Sequence, residues 1–305
     1  MKKILVTGGT TFVSRFVATY YVKKGYEVYV LNRNTKEQVE GVILIEADRN
    51  NIGDKLKGIE FDAILDITSY TREDIKNLIE ALDYVTEYIF ISSSAIYPET
   101  LSQPFREEQQ GGYNSIWQDY GINKLEAEEY LMSRIPQSYI LRPPYFYGPM
   151  ENLYRAPFVF DCAINDRKFY LPGDGSMKLQ FFHVEDLCRF IDIILEVKPQ
   201  EHIFNVGNKE AITIRDWVEL CYEAAGKKVE FVNVYNEKNQ RDYFCFHEYE
   251  YILDVTKQNK YLSSTKDLLE GLKESYKWYV DNKDKVNKKE YMNYIDSIII
   301  TSTKK

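Results

Sequence analysis

The chain has 305 residues, 44% of them apolar, and a formal net charge of −8. That composition supports a sizeable core, as one large domain or a domain with a smaller lobe, and excludes an intrinsically disordered chain. The acidity disfavours nucleic-acid backbones and anionic membranes as partners. The absence of a signal-peptide pattern or a long apolar run leads us to expect a cytoplasmic protein with no membrane partner.

In chain order, residues 3–6 read as a short apolar strand and 12–24 as a helix that stops at Gly25. Residues 27–31, 42–46, 63–67 and 88–91 read as further strands. Between the last two, residues 72–82 form a helix with Ile75, Leu78, Ile79 and Leu82 on one face. A helix over 123–133 leads to a sixth strand at 138–141. Strands alternating with helices predict an α/β fold, a Rossmann-type doubly wound parallel sheet covered on both faces. After Arg142 the rhythm changes, with Pro143, Pro144 and Pro149 in an irregular segment. Helices are expected at 184–195, 213–225 and 268–282. The expected organisation is a dinucleotide-binding domain over 1–150, with 177–200 returning to it. A smaller C-terminal substrate-binding lobe takes 151–176 and 201–290, and 291–305 form a tail.

Cys162, Cys188, Cys221 and Cys245 make no C-x-x-C pair and read as reduced core thiols. The three histidines are too scattered for a metal site, so no metal is expected.

The segment Gly8-Gly9-Thr10-Thr11-Phe12 joins the first strand to the first helix. Glycines there permit a tight turn and close backbone approach, so that amide N–H groups and the helix N-terminus can hold a pyrophosphate. The second strand ends in Asn32-Arg33. A carboxylate at that point suits the free 2′-hydroxyl of NAD, whereas a guanidinium suits a 2′-phosphate, so NADP is favoured over NAD. Tyr120 and Lys124 have Y-x-x-x-K spacing, which puts both side chains on one helix face. Tyr20/Lys24 and Tyr279/Lys283 share that spacing and read as ordinary helix-surface pairs.

Several motifs resemble those of the extended short-chain dehydrogenases, the group of the NAD-dependent epimerases and dehydratases. Thr7 to Ser14 is similar to T-G-G-x-G-F-x-G, with Thr11 and Ser14 where two glycines are expected. Ser92-Ser93-Ser94-Ala95-Ile96-Tyr97 resembles the strand-end S-[ST]-x-x-V-Y signature, and Tyr120 to Glu128 the Y-G-x-S-K-x-x-A-E helix. Arg142-Pro143-Pro144-Tyr145-Phe146-Tyr147-Gly148-Pro149 resembles R-P-x-x-x-Y-G-P, and Gly173-Asp174-Gly175 the family's G-D-G turn.

The resemblance implies an enzyme with Tyr120 as acid/base, Lys124 as its electrostatic partner and Ser93 as the substrate-orienting hydroxyl. A tyrosine ordinarily titrates near about 10, so a lysine ammonium and an oxidised nicotinamide are what make its phenolate accessible. The same resemblance assigns Gly8, Gly9, Thr11, Phe12, Asn32, Arg33, Asp48, Thr68, Tyr120, Lys124 and Pro144 to the cofactor, with Asp48 facing the adenine. It assigns Ser94, Tyr145, Lys178 and Arg241 to the substrate, expected to be a sugar nucleotide. Ser94-Ala95 stand where dehydratases carry Asp-Glu, which favours an epimerase or a reductase. Relatives often dimerise through the Y-x-x-x-K helix, so a homodimer is expected. The altered glycine loop is also similar to that of chloroplast stem-loop RNA-binding proteins. The alternative it implies is a non-catalytic or RNA-binding regulatory homologue.

Overall fold

The computed structural model describes residues 2–302 apart from 236 and 238. The last residues of the expected tail, 303–305, lie outside the described residues. Seven strands form one parallel sheet: β1 (Lys3–Thr7), β2 (Glu27–Asn32), β3 (Ile43–Glu46), β4 (Ala63–Asp66), β5 (Glu87–Ile91), β6 (Tyr139–Arg142) and Ile203–Asn205. Their spatial order is Ile203–Asn205, β6, β5, β4, β1, β2, β3. Ile4 pairs with Val28 on one side and Ala63 on the other, so the order reverses between β1 and β4. In an open parallel sheet, that reversal opens a crevice at the carboxyl ends of the strands.

Side-chain alternation builds the two faces. Ile4, Val6, Val28, Val30 and Leu65 join a core with Val17, Leu187 and Ile191, from α1 (Phe12–Lys23) and the helix Val184–Val197. Leu5, Leu31, Ile64, Tyr88 and Phe90 point the other way, onto Ile75 and Leu78 of α2 (Arg72–Ala81) and Ala127 and Leu131 of α3 (Asp119–Arg134). Thr71 caps α2 reciprocally with Asp74, which explains its sharp start.

The chain divides into two compact units. The first comprises Met1–Phe146, Phe181–Lys209 and Leu253–Thr265. Residues 201–209, expected in the lobe, fall here because Ile203–Asn205 extends the sheet along β6. Residues 253–265 join them, and the Asp254 N–H donates to the Phe105 carbonyl. The second unit comprises Tyr147–Gln180, Glu210–Ile252 and Lys266–Lys305. In it the helices Ala156–Ile164, Ile214–Ala224 and Leu268–Asp281 pack together, and Phe169–Pro172 pairs in parallel with Phe231–Val234. The buried Asp161 accepts hydrogen bonds from Tyr154 and Lys288 at 2.7 and 2.8 Å and from Tyr279. Tyr279 is therefore a core anchor and not the helix-surface residue expected. All four cysteines are buried and unpaired. No helix among the described residues is long and apolar enough to cross a membrane.

Candidate functional site

A cleft of about 400 Å³ opens at the reversal point in the first unit, lined by Gly8, Thr10, Thr11, Asn32, Arg33, Lys36, Asp48, Arg49, Thr68 and Tyr70 among others. Gly8 has φ +87°, and a Cβ there would stand 2.8 Å from the Thr68 methyl, so only glycine fits. Thr11, by contrast, is extended (φ −139°, ψ 142°), a conformation any residue adopts. That is why a threonine is tolerated where the motif expects glycine. Ser14 keeps the tight helix–strand approach, its hydroxyl donating to the Thr11 carbonyl at 2.9 Å. Gly9 faces Val30 of the sheet and Phe12 is buried, so these two expected contacts shape the loop and do not line the cleft.

Asn32 is also structural here. Its amide donates to the Gly8 carbonyl at 2.7 Å and to Gln38 at 3.0 Å, tying the segment after β2 to the glycine turn. Arg33 and Lys36 line the cleft as cations without a carboxylate partner among the described residues. Asp48 lines it too, while its carboxylate accepts from the Asn50 N–H at 2.8 Å.

The catalytic candidates share the first unit. Gly121 of α3 lies so near the 94–96 turn that a Cβ would sit 2.3 Å from the Ala95 carbonyl oxygen. This close approach docks α3 on the segment carrying Ser93, with Tyr120 next to the contact and Lys124 one turn on. It also explains why the helix starts at Asp119, four residues before the sequence suggests: tertiary contact overrides a glycine's low helical propensity. Lys124 is 2% exposed, and its ammonium donates to the carbonyls of Ser69 at 2.6 Å and Ile91 at 2.8 Å, spanning the ends of β4 and β5. Burial brings its pKa down to about 8. Tyr120 is 38% exposed. Ser93 accepts a bond from the Ala95 N–H at 3.2 Å, which leaves its own hydroxyl proton to donate. Of the competing pairs, Tyr20 and Lys24 both bind Asp192, at 2.6 and 2.5 Å.

Sequence reading missed three neighbours. Tyr70 covers the Lys124 ammonium, its ring centroid 5.0 Å from Nζ and 6.2 Å from the Tyr120 ring. Tyr70→Ala is expected to raise the rate at which acetic anhydride modifies Lys124 several-fold, read by peptide mass spectrometry. An unchanged rate would show that the ring does not shield the amine. Glu128, buried on α3, accepts from Ser92 and pairs with Arg142 at 2.6 Å. Arg49 reaches the end of β4, where it meets Thr68 and Ser69. No motif names Tyr70 or Arg49, and Glu128 appeared only as one letter of a helix signature.

Of the expected substrate residues, Ser94 is buried with its N–H on the Pro143 carbonyl at 3.0 Å. Pro144 follows, also buried, and Tyr145 packs against Trp117 and Phe181. Lys178 and Arg241 belong to the second unit, where the Lys178 N–H donates to Glu250 and the Arg241 guanidinium to the Phe244 carbonyl.

The family model described as the NAD dependent epimerase/dehydratase family matches residues 4–207. Chloroplast stem-loop binding protein of 41 kDa b from Arabidopsis thaliana is 27% identical over 300 residues, covering 90% of this chain and 78% of that protein. UDP-glucose 4-epimerase from Corynebacterium glutamicum is 23% identical, covering 74% and 82%. Among solved structures, a Thermotoga maritima UDP-glucose 4-epimerase with UDP-glucose superposes with a TM-score of 0.75 at 20% identity, over 92% of this chain and 99% of that one. A Bacillus anthracis dTDP-glucose 4,6-dehydratase in complex with NAD gives 0.74 at 20% identity, over 94% and 99%.

Proposed function

The chain belongs to the NAD dependent epimerase/dehydratase family, and from that premise we propose that it is an NAD(P)-dependent epimerase or reductase of a sugar nucleotide or related hydroxyl or carbonyl substrate. The single observation that carries the reading is the setting of Lys124. An ammonium buried at the joined ends of β4 and β5 stands one helical turn from a half-exposed phenol, beside a cleft with a glycine floor.

The cleft suits a dinucleotide. A Cβ at Gly8 would close its floor, Arg33 and Lys36 offer positive charge, and its volume is that of a small-molecule site. Asp48, Thr68 and Tyr70 line it too, and Asp48 is the residue that would face the adenine. When bound, a nicotinamide supplies hydride acceptance and return. The protein's residues do the rest. The Ser93 hydroxyl donates to the substrate oxygen and fixes its orientation. The Tyr120 oxygen takes the substrate hydroxyl proton and gives it back. With a pKa of about 8, Lys124 is mostly protonated at neutral pH, so its charge favours the phenolate. Above that pH the amine is neutral and the support is lost.

Arg33 and Lys36 favour a 2′-phosphorylated dinucleotide, hence NADP over NAD. The expected result of a thermal-shift series is stabilisation by NADP and NADPH at concentrations where NAD and NADH do little, and a reversed preference in Arg33→Asp. Stabilisation by NAD alone would overturn the NADP preference; no response to any of the four would overturn the cofactor reading.

A second reading, a non-catalytic RNA-binding homologue, is favoured by the identity with the stem-loop binding protein. It is opposed by the net charge of −8, which repels a phosphate backbone. Hairpin RNA binding at physiological salt without any cofactor response would move the assignment to it.

A further inference from the structure

Arg49 lines the cleft and is held there by two hydroxyls. It leaves the turn after β3, where the Asn51 N–H donates to the Asp48 carbonyl at 2.9 Å, and crosses to the carboxyl end of β4. There Nη2 donates to the Thr68 hydroxyl at 2.8 Å and Nη1 to the Ser69 hydroxyl. Thr68 is the residue whose methyl a Cβ on Gly8 would strike, so the guanidinium lies beside the floor of the glycine turn.

Asp66 is its carboxylate partner, at the long end of the ion-pair range. It is fully buried and accepts from the hydroxyls of Thr7 at 2.8 Å, Tyr88 at 2.6 Å and Ser69. Arg49 Nη2 stays 3.7 Å from its nearest oxygen. Two of the five guanidinium N–H groups are committed to hydroxyls. Arg49 lines the cleft together with Gly8, Thr10 and Thr11.

Thr11 lines the same cleft and carries a side chain where the family motif has glycine, although its extended backbone accommodates one. A planar, preorganised guanidinium offers the complementary chemistry, paired N–H donors to phosphate oxygens.

We propose that Arg49 is the diphosphate-binding cation of this cleft. The inference rests on the dinucleotide reading above and deepens it: Arg49 selects ligands carrying a diphosphate beside the adenosine. Its two hydroxyl partners hold the fork in place before ligand arrives, so little side-chain freedom is lost on binding.

The test compares adenosine, ADP-ribose and inorganic pyrophosphate by titration calorimetry against the full-length protein and Arg49→Gln. Removal of one charge-assisted pair is expected to weaken ADP-ribose about tenfold or more, abolish pyrophosphate binding, and leave adenosine within about twofold. Arg49→Lys, which keeps the charge but not the fork, is expected to fall between. Because Arg49→Gln removes one cation from beside the buried Asp66, Arg49→Gln/Asp66→Asn serves as the control for charge balance and is expected to show the same selective loss. Equal weakening of adenosine and ADP-ribose in both variants would overturn the proposal, making Arg49 only a neutraliser of Asp66. Unchanged ADP-ribose and pyrophosphate affinity would also overturn it, with the dinucleotide reading intact if NAD or NADP still binds. A wild-type protein that binds none of these ligands and no dinucleotide would remove both.

Discussion

Tyr120→Phe is expected to lower kcat by about two to four orders of magnitude on any substrate the protein turns over, the range typical of a positioned acid/base group. KM and the cofactor-induced shift in Tm should change little, because the ring, its contact with Tyr70 and the helix are retained. Steady-state kinetics beside a thermal-shift titration separate the two effects. Lys124→Met should lose activity as well, but with a different signature. The wild-type rate is expected to fall as pH rises through about 8, where the buried ammonium loses its proton. That limb should be absent from whatever activity Lys124→Met keeps. Tyr120→Phe with full turnover would remove the catalytic assignment and turn attention to Tyr70, whose ring also covers the Lys124 ammonium. Tyr70→Phe with normal kinetics completes the distinction.

Glu128→Ala is expected to cost about 3–5 kcal/mol, the penalty for leaving a buried charge without its partner, and to lower Tm by roughly 10 °C. Glu128 and Arg142 are 3% and 5% exposed and form a bidentate pair. Arg142 also donates to the Tyr97 hydroxyl at 2.9 Å, which in turn donates to Asn205 at 2.8 Å. One network therefore ties α3, the end of β5, β6 and the outermost strand together. Replacing both ions, as Glu128→Leu/Arg142→Met, should recover much of the loss, because an apolar pair avoids the cost of burying two charges. Chemical denaturation with both variants checks this. A Glu128→Ala protein as stable as wild type would mean that solvent reaches the pair.

The architecture was legible because its signal is local and repeated. Alternation in Ile4-Leu5-Val6 and in Ile64-Leu65, with amphipathic helices between, is enough to call a sheet buried on both faces. The glycine turn was legible for the same reason: Gly8 and the residues around it are contiguous. Tyr120 and Lys124 were legible as spacing, yet two other pairs had the same spacing, and family resemblance was needed to choose. The structure separates them physically, since Tyr20 and Lys24 share Asp192, Tyr279 is sealed onto Asp161, and Lys124 alone is held by strand-end carbonyls.

Sequence alone determined the parallel α/β architecture, the glycine turn after the first strand and the spacing of the phenol–amine candidates, because each depends on residues within one turn or one strand of each other. Only the tertiary structure decided which side chains face that pair. Arg49, Tyr70 and Glu128 come from three elements, and their partners lie 20, 54 and 14 positions away, at Ser69, Lys124 and Arg142. Such contacts form when the sheet closes and brings the ends of β4, β5 and β6 side by side, and no short-range pattern encodes that closure.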